Sequence, residues 1–145
     1  MERKGQAAME FLMTYGWAIL VVLVAIGALA YFGVLSPARF LPSTCEFQSG
    51  LGCDSFKAAT DGVRIVLRNG LGQDLTSVTI GVTGCGTSGV VATLTDGSTT
   101  NQVVPCVLTA GNRLKETVWT FYTDPNGVTH NNTGQIVTRV ETGNA

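Results

Sequence analysis

The sequence predicts an α+β protein: a long N-terminal hydrophobic α-helix followed by a small antiparallel β-sandwich or barrel-like head. Three observations predict it. From Phe11 to Leu35 no residue carries a charge, and Thr14 is the only plainly polar side chain. At Ser36-Pro37 the composition turns to Thr, Gly, Ser and Asn, with apolar residues at alternate positions. All four cysteines, Cys45, Cys53, Cys85 and Cys106, fall in this second part.

The apolar run is long enough to cross a bilayer rather than to serve as a buried helix of a soluble core. Helical from Gln6 to Leu35, it would extend roughly 45 Å at about 1.5 Å per residue, beyond the ~30 Å hydrocarbon core. The excess asks for a tilt or for protein surroundings. Arg3 and Lys4 precede the run and the next basic residue is Arg39, so the charge bias leaves the N-terminus in the cytoplasm and the head outside. Ser36-Pro37 should end the helix, because proline lacks an amide donor and restricts the residue before it. The resulting division is a leader at 1–5, a hydrophobic helix at 6–36 and a β-rich head at 37–145.

Ala28-Leu29-Ala30 also satisfies the small-x-small rule of an ordinary secretory signal, whose cleavage would release a soluble product starting at Tyr31. Against this, the apolar run exceeds the usual h-region and continues through Tyr31-Phe32-Gly33-Val34-Leu35. Glu10, between the basic residues and the run, is a costly place for a carboxylate unless it has a partner.

The segment Lys4-Gly5-Gln6-Ala7-Ala8-Met9-Glu10 resembles the class III signal peptide of archaeal type IV pilin-like proteins. Basic pair, Gly, Gln, Glu and uninterrupted apolar helix occur in register over about thirty residues. The resemblance implies cleavage by a prepilin peptidase between Gly5 and Gln6, on the cytoplasmic side, so that the helix stays on the mature chain. It also implies that Glu10 registers the subunit in a filament, through the new amine of Gln6 on a neighbour or on the same chain. Ala8 stands where the family often has Ser, and Thr14 where Leu is common, which leaves the peptidase subtype open. The implied partners are the prepilin peptidase, the pilus assembly machinery, the membrane before assembly and further copies of the chain in a helical filament. The function implied is a structural subunit of a cell-surface filament, its head displayed for adhesion or surface contact. Small residues such as Gly16, Ala18, Ala25, Gly27 and Ala28 among Ile, Leu and Val suit close helix packing, and suit a lipid-facing anchor equally well.

In the head, Gly62 to Asn69 sets Val63, Ile65 and Leu67 on one face, and Val78, Ile80 and Val82 alternate in the same way. Further strands are expected at Gly89–Thr95, Gln102–Thr109, Leu114–Thr123 and Gln135–Glu141, six in all. Asp96-Gly97, Ala110-Gly111-Asn112 and Asp124-Pro125-Asn126-Gly127 provide turns between them.

Four cysteines allow three pairings, of which the local one, Cys45–Cys53 with Cys85–Cys106, is preferred. The first would close the segment joining helix and head, and the second would pin the loop Thr83–Gly89 to a strand around Cys106. Each should add about 2–4 kcal/mol by loop closure. An even cysteine set fits an exported head. A metal site is not expected, since there is no Cys-x-x-Cys and His130 is the single histidine. The Asp124 turn lacks the acidic pattern of a calcium loop. No cofactor and no enzymatic activity are expected: no Gly-x-Ser-x-Gly or phosphate-binding Gly-rich loop occurs, and His130 reads as a solvated loop residue.

From Ser36 onward seven basic residues face eight acidic ones, scattered rather than striped, so nucleic acid is not an expected partner. Asn131-Asn132-Thr133 is a sequon with Asn131 as glycan acceptor in an exported loop. The resemblance favours its use, because archaeal surface filaments are commonly N-glycosylated. Two other functional classes compete with the filament subunit: a single-pass anchored β-domain that binds a glycan or protein as a monomer, and a soluble domain released after Ala30.

Overall fold

The computed structural model describes residues 2–33, 41–48 and 50–145. They form two compact units, Met1–Leu41 and Pro42–Ala145. The first is a single helix, α1, Glu2–Tyr31. It starts before Gln6, so residues 2–5 of the expected leader are helical and continuous with the apolar run, and it ends before the expected 36. The end has a local cause. Phe32 N–H donates to the Ala28 carbonyl at 3.0 Å and Gly33 N–H to that of Ala30 at 3.1 Å, while Gly33 adopts φ 69°. A glycine in the left-handed region closes a helix by satisfying its last carbonyls. The expected break at Ser36-Pro37 and residues 34–36 of the expected helix lie outside the described residues.

The second unit holds eight strands: β1 Thr44–Phe47, β2 Leu51–Ala59, β3 Gly62–Asn69, β4 Leu75–Val82, β5 Val91–Leu94, β6 Thr99–Pro105, β7 Arg113–Thr123 and β8 Thr129–Glu141. Their order is β5-β4-β7-β8-β2-β3-β6, with β1 paired beside β8. Every pairing is antiparallel except the short junction of β2 with β8 at Ala58↔Val140 and Ala59↔Glu141. Gly86 N–H, in the loop between β4 and β5, reaches the carbonyl of Pro105 at the end of β6 at 3.0 Å, drawing the ends of the sheet toward each other into a nearly closed barrel.

Alternation fills its interior. Val63, Ile65 and Leu67 of β3 meet Val78, Ile80 and Val82 of β4, with Val104, Val118 and Ile136, all at most 1% exposed. Asn69 is fully buried among them and fully bonded. Its Nδ2 donates to the carbonyls of Gln73 (2.8 Å) and Leu94 (3.1 Å), and its Oδ1 accepts from Leu71 N–H at 3.1 Å. One polar side chain thus fixes two loops at the end of the barrel.

Several expectations are corrected. Among the described residues there are eight strands rather than six, because β1 and β2 form where no strand was expected. The fifth and sixth strands are shorter or displaced: Val91–Leu94 instead of Gly89–Thr95, and Thr99–Pro105 instead of Gln102–Thr109. β8 starts at Thr129 rather than Gln135, so His130 and the Asn131 sequon lie in a strand and not in a loop. The Asp124-Pro125-Asn126-Gly127 turn carries the hairpin directly from Thr123 to Thr129, which are register partners.

Candidate functional site

Helix α1 carries the residues singled out for processing and assembly. Gly5, Gln6 and Glu10 are all exposed, and Gln6 and Glu10 stand one turn apart on one helical face. The Thr14 hydroxyl donates to the Glu10 carbonyl at 2.9 Å, so the single polar side chain of the apolar run is satisfied by its own backbone. Phe11 and Tyr15 stack along the helix with ring centroids 4.9 Å apart.

Around the rest of the cylinder the apolar side chains face outward on every side. Met13 is 77% exposed, Trp17 68% and Leu20 64%. A helix that is hydrophobic all round requires an apolar environment on all faces, and α1 is long and apolar enough to span a membrane. A methyl group added at Gly16 or Gly27 would meet nothing within 4 Å, so among the described residues of the helix no close approach requires those glycines.

In the head, disulfides join Cys45 to Cys53 and Cys85 to Cys106. The first links β1 to β2, two strands of the barrel, rather than closing a linker ahead of it. The second ties the loop after β4 to the residue following β6. With no free cysteine left, none is available as a thiolate ligand or nucleophile, and the two covalent links suit an extracellular, oxidising setting.

His130 Nε2 lies 3.1 Å from Asp124 Oδ2, and its ring stacks on Tyr122 with centroids 5.3 Å apart. Asp124 Oδ1 accepts from the amides of Asn126 and Val128, both at 2.9 Å. The hydrogen bond from His130, then those from the backbone, hold the Asp124 carboxyl below its ordinary value. His130 therefore locks a hairpin instead of lying free in a loop, a role not visible in sequence. Arg68 likewise grips Asp54 with two nitrogens, which lowers the Asp54 pKa and raises that of Arg68.

A recess of about 520 Å³ lies beside the second disulfide, lined by Asp61, Gly84, Gly86, Pro105 and Val107. The carboxylate in it, Asp61, accepts the Ala145 amide at 2.7 Å, so it is already engaged. Asn131 is exposed on β8 directly across from Phe121 of β7, while Asn132 is buried and bonded to Gln48. In comparison with known proteins, the chain matches no family model and no curated protein.

Proposed function

We propose that the chain is the structural subunit of a type IV pilus-like surface filament of the archaeal kind. A prepilin peptidase removes the leader between Gly5 and Gln6, and the mature chain waits in the membrane with its head outside. Filament assembly then packs the helices of many copies together and displays the heads for adhesion or surface contact.

The observation that carries this reading is the in-register run of Lys4, Gly5, Gln6 and Glu10 leading straight into a helix whose apolar side chains are exposed all round. Lipid can solvate such a helix before assembly, and other copies of it can do so afterwards. Small residues at Gly16 and Gly27, with no contact there among the described residues of the helix, leave room for neighbouring backbones to come close. Cleavage turns Gln6 into a cationic terminus four residues from Glu10, which supplies the partner that a carboxylate at the edge of an apolar helix needs.

Glu10→Gln keeps the shape and removes the charge. Export, disulfides and head fold should be unaffected, while surface filaments counted by electron microscopy should fall at least about tenfold, as loss of ~1.4 kcal/mol per subunit contact would already cause. Filaments at the normal number would contradict the assigned role, and monomeric protein held in the membrane in every variant would favour the anchored β-domain.

A further inference from the structure

The outer face of the β4-β7-β8 sheet carries two aromatic rings in a polar field. Trp119 and Phe121 alternate outward on β7, their ring centroids 5.1 Å apart and nearly edge to face. Trp119 lies across Gly81 of β4, where any side chain would collide with the indole. Phe121 has no such cover and remains 42% exposed. The neighbouring positions on this face, Thr79, Thr117, Thr133 and Gln135, are all uncharged and polar.

The register puts the acceptor triplet against these rings. Asn131 pairs with Phe121 and Thr133 with Trp119. Residues two apart in a strand share a face, so Asn131 and the hydroxyl that completes the triplet both look outward. Asn132 between them is turned inward, its Oδ1 accepting from Gln48 N–H at 3.0 Å and its Nδ2 donating to the Gln48 carbonyl at 3.4 Å. This is the one Asn-x-Ser/Thr triplet in the sequence. Side chains directly opposite in an antiparallel pair have their Cβ atoms about 5 Å apart, within the reach of a first sugar attached to Asn131.

We propose that Asn131 carries an N-linked oligosaccharide whose first sugar lies on the Phe121 ring, with Trp119 extending the seat. In the transfer, Asn131 Nδ2 bonds to the anomeric carbon of an oligosaccharide activated as a polyprenyl phosphate ester. The anomeric C–O bond to phosphate breaks, the lipid phosphate leaves with that electron pair, and the amide proton passes to a base of the transferase. A sugar presents C–H groups on its flat faces and hydroxyls at its rim. The C–H face suits the electron-rich face of a ring, and the rim meets the surrounding threonines and glutamine. The inference needs the head to be exported but does not need it to polymerise.

The test uses the full chain from an archaeal host with active N-glycosylation. Trypsin cuts after Lys115 and Arg139, so the peptide Glu116–Arg139 should carry the glycan mass. That mass should vanish in Asn131→Gln and Thr133→Ala and persist in Thr133→Ser. An unmodified peptide in the parent chain overturns the proposal. The seat is tested by thermal unfolding of the glycosylated chain and Asn131→Gln, each with Phe121 or with Phe121→Ser. Loss of the glycan should lower Tm by roughly 4 °C with Phe121 present and by much less without it. No change with Phe121 present, or an equal fall in both backgrounds, overturns the seat. Should Phe121→Ser fail to fold, Phe121→Leu keeps apolar volume and removes only the ring.

Discussion

Thr120 sits at the middle of β7, fully buried between its register partners Ile80 and Asn132, and among the described residues its hydroxyl has no hydrogen-bond partner. Burying an unpaired hydroxyl costs about 1–3 kcal/mol, and here nothing offsets it. Thr120→Val removes the hydroxyl and nearly keeps the shape. Thermal unfolding of the full chain in detergent should show a Tm higher by about 4–8 °C, as a gain of ~1 kcal/mol gives in a domain of this size; a lower Tm would mean that the hydroxyl is paired. Asp124 behaves in the opposite way, because its partners favour the charged form. Its folded pKa lies below the unfolded value of about 3.9. The stability it contributes is therefore complete above that value and is lost as pH falls through the folded one. In urea titrations, Asp124→Asn should reduce stability at pH 6 and flatten the decline below about pH 4. A variant with the parent's acid decline would assign that decline to other carboxylates, Asp54 beside Arg68 first among them.

Among the elements, β1 depends on a single glycine of β8. Phe47 pairs with Gly134, and a Cβ there would run into the Glu46 carbonyl. Gly134→Ala must push β1 off the sheet edge or shift β8, a cost of about 1–3 kcal/mol for an overpacked site. Amide exchange should accelerate first across Thr44–Phe47, and exchange rates there equal to the parent's would contradict this tight approach. The same region marks how far the sequence could be read. β3 and β4 were legible because Val63, Ile65, Leu67 and Val78, Ile80, Val82 keep strict alternation on a half-buried sheet. In β2 the ladder slips between Cys53 and Ser55, so the period breaks at the bulge and the segment does not read as a strand. β1 has four residues and no alternation. The first half of β8 is polar even where it faces inward, with Asn132 satisfied by Gln48 rather than replaced by an apolar residue. Tertiary hydrogen bonding decided those strands, and no local pattern records it. The placement of Asn131 opposite Phe121 is hidden in the sequence for the same reason.

At the scale of the whole molecule, two units demand different surroundings. Helix α1 exposes apolar side chains on all faces and needs lipid or other helices around it. The head has an apolar interior in a nearly closed barrel and two disulfides, and suits an oxidising aqueous side. The helix could serve as a membrane anchor or as a signal, and the proposed filament is one way to surround it with other helices. What the fold leaves to chemistry is the fate of the first five residues. Gly5 and Gln6 lie exposed within the continuous helix, where cytoplasmic cleavage would leave the whole apolar run on the mature protein. Peptide mass mapping of protein recovered from its native surface reads this bond directly. A filament subunit processed at this bond starts at Gln6. A chain starting at Tyr31 would make the protein a secreted domain, an intact Met1 would make it an unprocessed membrane anchor, and either would contradict the filament subunit.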